Sequence, residues 1–233
     1  MFYYYWDNTY LLVLIGAVIC LIASAKVKTT FHKYSKVRSM SGMTGAQVAE
    51  RILHAAGIFD VRVQQVSGSL TDHYDPRNKT VNLSESVCNS TSVAAIGVAA
   101  HECGHAIQHA TNYVPLNLRT AIVPLANIGS ALAWPIIILG LLFNNQSSIY
   151  WIYTGIILFS LAVLFQIVTL PVEFNASRRA LSMLRGQGIL GDTEAGMARS
   201  VLRSAALTYV ASAAAAILQL LRLVLLFGGR DSD

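Results

Sequence analysis

Two histidines four residues apart, with a glutamate directly after the first, form the pattern in this chain most suited to chemistry. The run is His101-Glu102-Cys103-Gly104-His105. Because an α-helix turns about 100° per residue, residues four apart lie on one face of the helix. His101 and His105 can therefore offer two imidazole nitrogens to one metal ion. Glu102 can then take a proton from a water molecule whose pKa the metal lowers, which is the role of a general base.

The residues before this pattern predict a buried helix. Residues 93–100 are wholly apolar, and residues 89–92 offer side chains that cap helix N-termini. The two histidines thus stand where a buried helix becomes polar, and buried polar groups need partners. A metal ion would supply such partners. The alternative is that the two histidines lie on a helix face exposed to solvent, and the buried setting argues against it. Cys103 lies about 200° round the helix from His101, so we expect it in the core.

A catalytic zinc usually has three protein ligands and one open position, so a third ligand must come from elsewhere in the chain. Between Asp75 and Asp192 there is no aspartate, and the glutamates there are Glu85, Glu102 and Glu173. Glu85 follows a predicted strand, where a surface carboxylate is expected. His109 lies about 12 Å along a straight helix from the first histidine, too far to bind the same ion.

Glu173 is the favoured third ligand. It directly follows the third long apolar stretch, residues 149–170. A carboxylate at the end of an apolar helix, against the membrane boundary, needs a cation. The alternative is a salt bridge to Arg178 or Arg179.

Composition indicates a membrane protein, with 54% hydrophobic and 12% charged residues. Four apolar stretches approach or exceed the about 20 residues that span a bilayer. No basic residue precedes the first stretch, so we predict a retained membrane anchor and not a cleaved signal. The aromatic cluster Tyr3–Trp6 is typical of a membrane interface. The predicted spans are approximately Asn8–Ala25, Thr120–Phe143, Ile149–Leu170 and Ser204–Phe227.

Basic residues predict the orientation of these spans. Of the 17 lysines and arginines, 15 lie within residues 26–119 or 172–203. By the positive-inside rule both stretches are cytoplasmic and both termini are outside. The net charge of +5 is thus explained by membrane topology and by attraction to anionic lipid. The sequence shows no basic face interleaved with aromatic residues, so we expect no nucleic-acid partner.

The remaining segments predict a small α+β catalytic portion in a mainly α membrane protein. Thr44 and Gln47 have capping-box spacing before an amphipathic helix, and Gly57 ends it. Residues 61–67 favour a strand, and residues 70–84 favour a β-hairpin. The predicted organisation is an N-terminal transmembrane anchor (1–25), a cytoplasmic catalytic portion with the HExxH helix (26–119), a transmembrane hairpin (120–171), a cytoplasmic segment with the third ligand (172–203), and a fourth transmembrane helix with a short tail (204–233).

The two histidines followed by Glu173 and Ala176 resemble the gluzincin arrangement of membrane metallopeptidases related to HtpX and the CAAX-processing proteases. That wider group has an aspartate after the alanine, and this chain has Ser177. Ser177 is therefore a candidate for the residue beside the ligands, and this departure leaves open how the first histidine is oriented.

A closer resemblance is to the YugP-like neutral zinc metallopeptidases of bacterial membranes, and it covers nearly the whole chain. It implies a membrane-bound zinc endopeptidase, with one zinc ion per chain. The similar runs are Leu-Thr-Asp-His-Tyr-Asp-Pro-Arg (70–77), Val-Ala-Ala-His-Glu-Cys-Gly-His-Ala-Ile-Gln (98–108) and Thr-Leu-Pro-Val-Glu-Phe-Asn-Ala-Ser (169–177).

A zinc peptidase also needs a donor for the oxyanion of its tetrahedral intermediate. His73 and Tyr74, on the predicted hairpin, are candidates, and the alternative is a purely structural role in the hairpin. We therefore expect hydrolysis of membrane-associated peptides or proteins at the inner membrane surface, in contact with membrane lipid.

Two other functions are compatible with parts of the pattern. A zinc-stabilised membrane scaffold or chaperone partner would need the ligands without Glu102. An intramembrane protease of the site-2 type usually places HExxH within a span and takes an aspartate ligand from a later one. The absence of aspartate from residues 76–191, and only eight apolar residues directly before His101, argue against that type.

Overall fold

The structure is a computed structural model that describes residues 7–143 and 147–228. The cluster Tyr3–Trp6 and both chain ends lie outside the described residues. Over the described residues the chain forms helices and strands in the order α1 (Tyr10–Ser35), α2 (Gly45–Ala55), β1 (Arg62–Val66), β2 (His73–Asp75), β3 (Thr80–Ser84), α3 (Glu85–Cys88), α4 (Val93–Ala110), α5 (Val114–Leu142), α6 (Ser148–Gly186) and α7 (Asp192–Phe227).

Four of these helices, α1, α5, α6 and α7, are long and apolar enough to cross a membrane. The prediction of four membrane-length helices is therefore confirmed. Three of them extend well beyond the predicted spans, and α6 does so although Pro171 directly follows its apolar run. Thus α1 continues to Ser35 through the basic residues after the first span, α6 continues to Gly186, and α7 begins at Asp192.

The chain divides into two compact units. The helical unit comprises the chain up to Ala23, Leu118–Leu170, and the chain from Thr208. Its buried apolar cluster is formed by Ile137, Ile152, Leu223 and Phe227. The side chains of these helices otherwise remain largely exposed, as expected of helices that face lipid.

The mixed unit comprises Ser24–Asn117 and Pro171–Leu207, and it contains all three strands. Its sheet has the order β1-β3-β2, with β1 parallel to β3 and β2 antiparallel to β3. The predicted hairpin is thus β2–β3. Every residue of the central strand β3 is buried, whereas β2 forms an edge of the sheet.

Helix α2 packs in the core of the mixed unit. Its predicted capping box is formed, since Thr44 Oγ1 accepts a hydrogen bond from Gln47 N and Gln47 Oε1 accepts one from Thr44 N. After the helix, Gly57 has a φ of +73°, a conformation that favours glycine. The apolar face of α2 is buried and supports α4 through Val48, Ala49, Ile52 and Leu53.

Candidate metal centre

Helix α4 carries both histidines of the HExxH pattern. It begins after Ser92, whose side-chain oxygen accepts a hydrogen bond from Ala95 N at 3.2 Å. Its first two turns are buried almost throughout. His101 and His105 follow one turn apart, and their rings meet edge to face with centroids 4.7 Å apart. The helix therefore presents both imidazoles on one face, as predicted from their spacing.

A close approach between α4 and α6 brings the third group to these histidines. A Cβ atom added at Gly104 would lie 2.4 Å from the carbonyl oxygen of Ala176. Only glycine at this position lets the two backbones meet so closely. Because Glu173 lies three residues before Ala176 on α6, the contact sets its carboxylate beside α4.

The resulting group of donor atoms has the dimensions of a metal site. Glu173 Oε2 lies 3.3 Å from His101 Nε2 and 3.6 Å from His105 Nε2. One ligand atom from each residue falls within 4.8 Å of the others. Donor atoms about 2.1 Å from a tetrahedral zinc ion would be about 3.4 Å apart. Two imidazole nitrogens and one carboxylate oxygen therefore fit zinc and leave a fourth position open.

The other ring nitrogen of each histidine has a protein partner. Ser177 Oγ lies 3.1 Å from His101 Nδ1. Gln108 Oε1 lies 3.0 Å from His105 Nδ1 and can accept a hydrogen bond from its N–H group. Such hydrogen bonds fix the tautomer that leaves Nε2 free to bind a metal. Ser177 thus lies beside the first of the two candidate histidine ligands.

Gln108 is itself held by α6. It is fully buried, and its Nε2 donates hydrogen bonds to the carbonyl oxygen of Val172 at 2.8 Å and to Asn175 Oδ1 at 3.0 Å. Asn175 Oδ1 also accepts a hydrogen bond from Arg179 Nε at 2.8 Å. The orientation of His105 therefore depends on the same helix that supplies Glu173.

Glu102 lies beside the three candidate ligands and outside their set. Only 8% of its surface is exposed, and its Oε2 accepts a hydrogen bond from the backbone N–H of Tyr74 at 3.0 Å. This bond ties the carboxylate to β2, the strand at the edge of the sheet. A strand at the edge of a sheet can pair with an extended peptide.

Comparisons with known proteins identify the family of the chain. The family model described as "Putative neutral zinc metallopeptidase" matches residues 9–228. The chain belongs to this family. It is also 49% identical over 212 residues to the "Putative membrane protease YugP" of Bacillus subtilis (strain 168), an alignment that covers 91% of this chain and 93% of that protein. No solved structure matches the chain. The resemblance seen in the sequence is thus confirmed, and the family name implies zinc.

The other sequence-predicted residues, His73 and Tyr74, lie on strand β2 of the hairpin. The ring nitrogens of His73 contact the carbonyl oxygen of Thr71 at 2.8 Å and Asn82 Nδ2 at 3.0 Å. The hydroxyl of Tyr74 lies 3.1 Å from Nδ1 of His109. His109 therefore bonds to the hairpin and is not part of the metal-binding group. The oxyanion role of His73 or Tyr74 stays a prediction.

Burial and nearby charges shift the pKa values of two side chains on α4, Cys103 and His105. Burial raises the pKa of the Cys103 thiol well above its usual range, and its sulfur lies 3.5 Å from the carbonyl oxygen of Ala49. The thiol therefore stays protonated, which is unsuitable for a metal ligand. Burial lowers the pKa of His105, but the hydrogen bond with Glu173 and the charge of Glu102 outweigh it and raise the pKa overall.

Sequence reasoning missed two residues that shape the site. Gln108 is three residues after His105, a spacing that places both on one helix face and was available as a signal. The role of Gly104 depends on the approach of α6, which lies some 70 residues later in the chain. No local pattern reveals that contact.

Proposed function

We propose that this protein is a membrane-bound zinc endopeptidase in which His101, His105 and Glu173 bind the zinc ion. The observation that carries the proposal is the convergence of their three donor atoms within 4.8 Å, with Glu102 next to them. Membership of a zinc metallopeptidase family supports the choice of metal and of reaction. The membrane protease from Bacillus subtilis supports the membrane setting.

Each residue of the site has its own role in the proposed peptide hydrolysis. His101, His105 and Glu173 would hold the zinc ion, which as a Lewis acid would polarise the scissile carbonyl and lower the pKa of a water molecule. Glu102 takes a proton from the attacking water and gives it to the leaving amine nitrogen. The hydrogen bond from Tyr74 N holds the Glu102 carboxylate in position. Ser177 and Gln108 contact Nδ1 of His101 and of His105, and so orient the two imidazoles with Nε2 towards the metal position.

The site is proposed to act on the cytoplasmic side, at the inner membrane surface. Glu173 follows the apolar run of α6 by three residues, and the basic residues flanking the spans favour this side. Both termini would then be outside. Peptides or proteins in or near the bilayer are the substrates that such a position favours, and membrane lipid is the expected surrounding partner.

Zinc content and hydrolysis, measured together, test the proposal. The wild type is expected to bind about one zinc ion, as a three-ligand site would. Glu173→Ala should lose most of the zinc, because it removes one of three ligands. Glu102→Gln should keep the zinc and lose hydrolysis of a quenched fluorescent peptide by about a hundredfold or more. Glu85→Gln, which changes an exposed glutamate on α3, is the matched control and should alter neither quantity.

Two outcomes would contradict the proposal. Full zinc content in Glu173→Ala would remove Glu173 from the ligand set. Unchanged hydrolysis in Glu102→Gln would exclude it as the general base. If wild type and Glu102→Gln bind zinc equally and neither hydrolyses any peptide, the zinc-stabilised scaffold becomes the better explanation.

A further inference from the structure

Three arginines of the mixed unit gather around one concavity away from the metal ligands. Arg178 and Arg185 of α6 and Arg199 of α7 line it, together with Leu181 and Ser182. Its volume of about 320 Å³ is at the lower end of the range for small-ligand sites. Three guanidinium groups therefore border one open space large enough for a small ligand.

The concavity lies on a different face of α6 from the metal ligand. Counting about 100° per residue from Glu173, the side chains of Arg178, Ser182 and Arg185 point between about 120° and 180° round the helix. These three residues also lie about one turn apart, so they form a single stripe. The arginine concavity is thus separate from the site proposed for peptide hydrolysis.

Nearby carboxylates leave this positive charge largely uncompensated. Within the described part of the chain, the side chains of Arg178 and Arg199 form no ion pair. Arg185 lies 3.7 Å from Asp192, whose side chain is 97% exposed, so that pair contributes little. The neighbouring Glu194 accepts a hydrogen bond from the backbone N–H of Met40. Three positive charges that line one concavity favour an anion within it.

We propose that this concavity binds a phosphate group through Arg178, Arg185 and Arg199. The guanidinium fork matches phosphate oxygens in bidentate geometry, and arginine is favoured wherever phosphate is recognised. The hydroxyl of Ser182 provides a further donor on the same stripe. One phosphate held by residues of both helices would link α6 to α7 in the mixed unit.

Two sources can supply this phosphate. Arg178 is eight residues beyond Leu170, where the third predicted span ends, and Arg199 is five residues before Ser204, where the fourth begins. These separations correspond to about 12 Å and about 8 Å along the helices. The headgroup layer adds about 5 to 8 Å to each side of the hydrocarbon core, and long arginine side chains reach towards it. Basic pockets beside membrane helices bind anionic headgroups in this way. A soluble phosphate compound offers the same chemistry.

The test uses the full chain in maltoside micelles, which contain no phosphate. In one arm inorganic phosphate is titrated against chloride at matched ionic strength. In the other, phosphatidylglycerol is added to the micelles. The readout in both is the midpoint of thermal unfolding, which rises when a ligand binds the folded state. The wild type, the double variant Arg178→Gln/Arg199→Gln and the control Arg203→Gln are compared. Arg203 is exposed, lies one turn from Arg199 on α7, and does not line the concavity.

The wild-type midpoint should rise in at least one arm. A rise with phosphatidylglycerol alone assigns a lipid headgroup, and a rise with inorganic phosphate alone assigns a soluble ligand. The double variant should bind about a hundredfold more weakly, at about tenfold per arginine, and Arg203→Gln should bind as the wild type does. No rise in either arm, or an equal loss in Arg203→Gln, overturns the proposal.

The midpoint without phosphate is measured first, so that a folding defect in the double variant is recognised. If that variant is already unfolded, Arg178→Lys takes its place, since it keeps the charge and lacks the bidentate fork. Weaker binding by Arg178→Lys supports the site, and wild-type binding counts against bidentate recognition by Arg178 and so against the proposal.

Discussion

At the scale of single residues, Gln108 is the polar side chain most closely tied to the candidate ligands. It is fully buried and bonds at once to His105 Nδ1, the carbonyl oxygen of Val172 and Asn175 Oδ1. Each of its polar atoms therefore has a partner. Partners of this kind typically contribute 10- to 100-fold to metal affinity, because they orient the ligand ring.

We predict that Gln108→Met weakens zinc binding by about 10- to 100-fold. The methionine side chain has a similar length but lacks the amide oxygen that accepts the hydrogen bond from His105 Nδ1. The imidazole therefore loses its fixed orientation. A competitive titration with a chelator measures the change. Gln187→Met, a change beyond the end of α6, should leave the affinity within about twofold of the wild type. Wild-type affinity in Gln108→Met would mean that His105 is oriented without the amide.

The same residues mark the limit of what the sequence predicts at this scale. His101, His105 and Glu102 are evident from a local spacing, and Glu173 follows from the scarcity of acidic residues between 76 and 191. The bonds of Gln108 to α6 are not evident, because they join positions more than 60 residues apart. Sequence spacing predicts which side chains share one face of a helix. Which side chains of two different helices are in contact depends on tertiary packing, which the spacing does not predict.

At the scale of elements, the contact between α4 and α6 decides whether the ligands meet. Gly104 and Gly97 lie on the same helix but face different surroundings. A Cβ at Gly104 would lie 2.4 Å from a backbone oxygen of α6, whereas a Cβ at Gly97 would lie 3.5 Å from the Cβ of Ala198. A methyl group at position 104 would therefore overlap the backbone of α6, whereas a methyl group at position 97 would fit in ordinary van der Waals contact.

We predict that Gly104→Ala destabilises the fold by about 1 to 3 kcal/mol and weakens zinc binding, because α6 must move away from α4. Gly97→Ala is the matched control on the same helix. It should bind zinc normally and gain up to about 1 kcal/mol from the higher helix propensity of alanine. Chemical unfolding and zinc titration of both variants provide the comparison. Equal zinc affinity in the two would contradict a role for the close approach.

The elements themselves were largely predictable. The apolar runs, the capping box at Thr44 and the hairpin signals gave the number and type of the main helices and strands. The parallel pairing of β1 with β3 is not evident from the sequence, because these strands are not consecutive and β2 lies between them in the chain. Nor were the lengths of α6 and α7 predicted, since hydropathy reports where a helix is apolar and not where it ends.

At the scale of the whole molecule, charge is the property that predicts orientation. The basic residues concentrate in residues 26–119 and 172–203, and the positive-inside rule therefore predicts that these segments are cytoplasmic. We predict that alkaline phosphatase fused after residue 233 is active, because the same rule predicts that this end is outside. The same enzyme fused after Leu190, between α6 and α7, should be inactive. High activity of the Leu190 fusion would reverse the predicted topology.

Metal binding should also stabilise the mixed unit as a whole. The candidate ligands come from two helices that are distant in sequence, so an ion that binds all three stabilises only the folded arrangement of α4 and α6. Free zinc at a thousandfold excess over its dissociation constant would add about 4 kcal/mol to the free energy of unfolding. A chelator should remove this contribution.

We therefore predict that a chelator lowers the midpoint of thermal unfolding of the wild type, and that Glu173→Gln, which cannot bind zinc tightly, is insensitive to it. His109→Ala changes a histidine on the same helix that bonds to Tyr74 and not to the ligand group, so it should respond to the chelator as the wild type does. A wild-type midpoint unchanged by chelation, although zinc is bound, would place the metal where it does not join α4 to α6. A loss of the response in His109→Ala would instead bring that histidine into the ligand set.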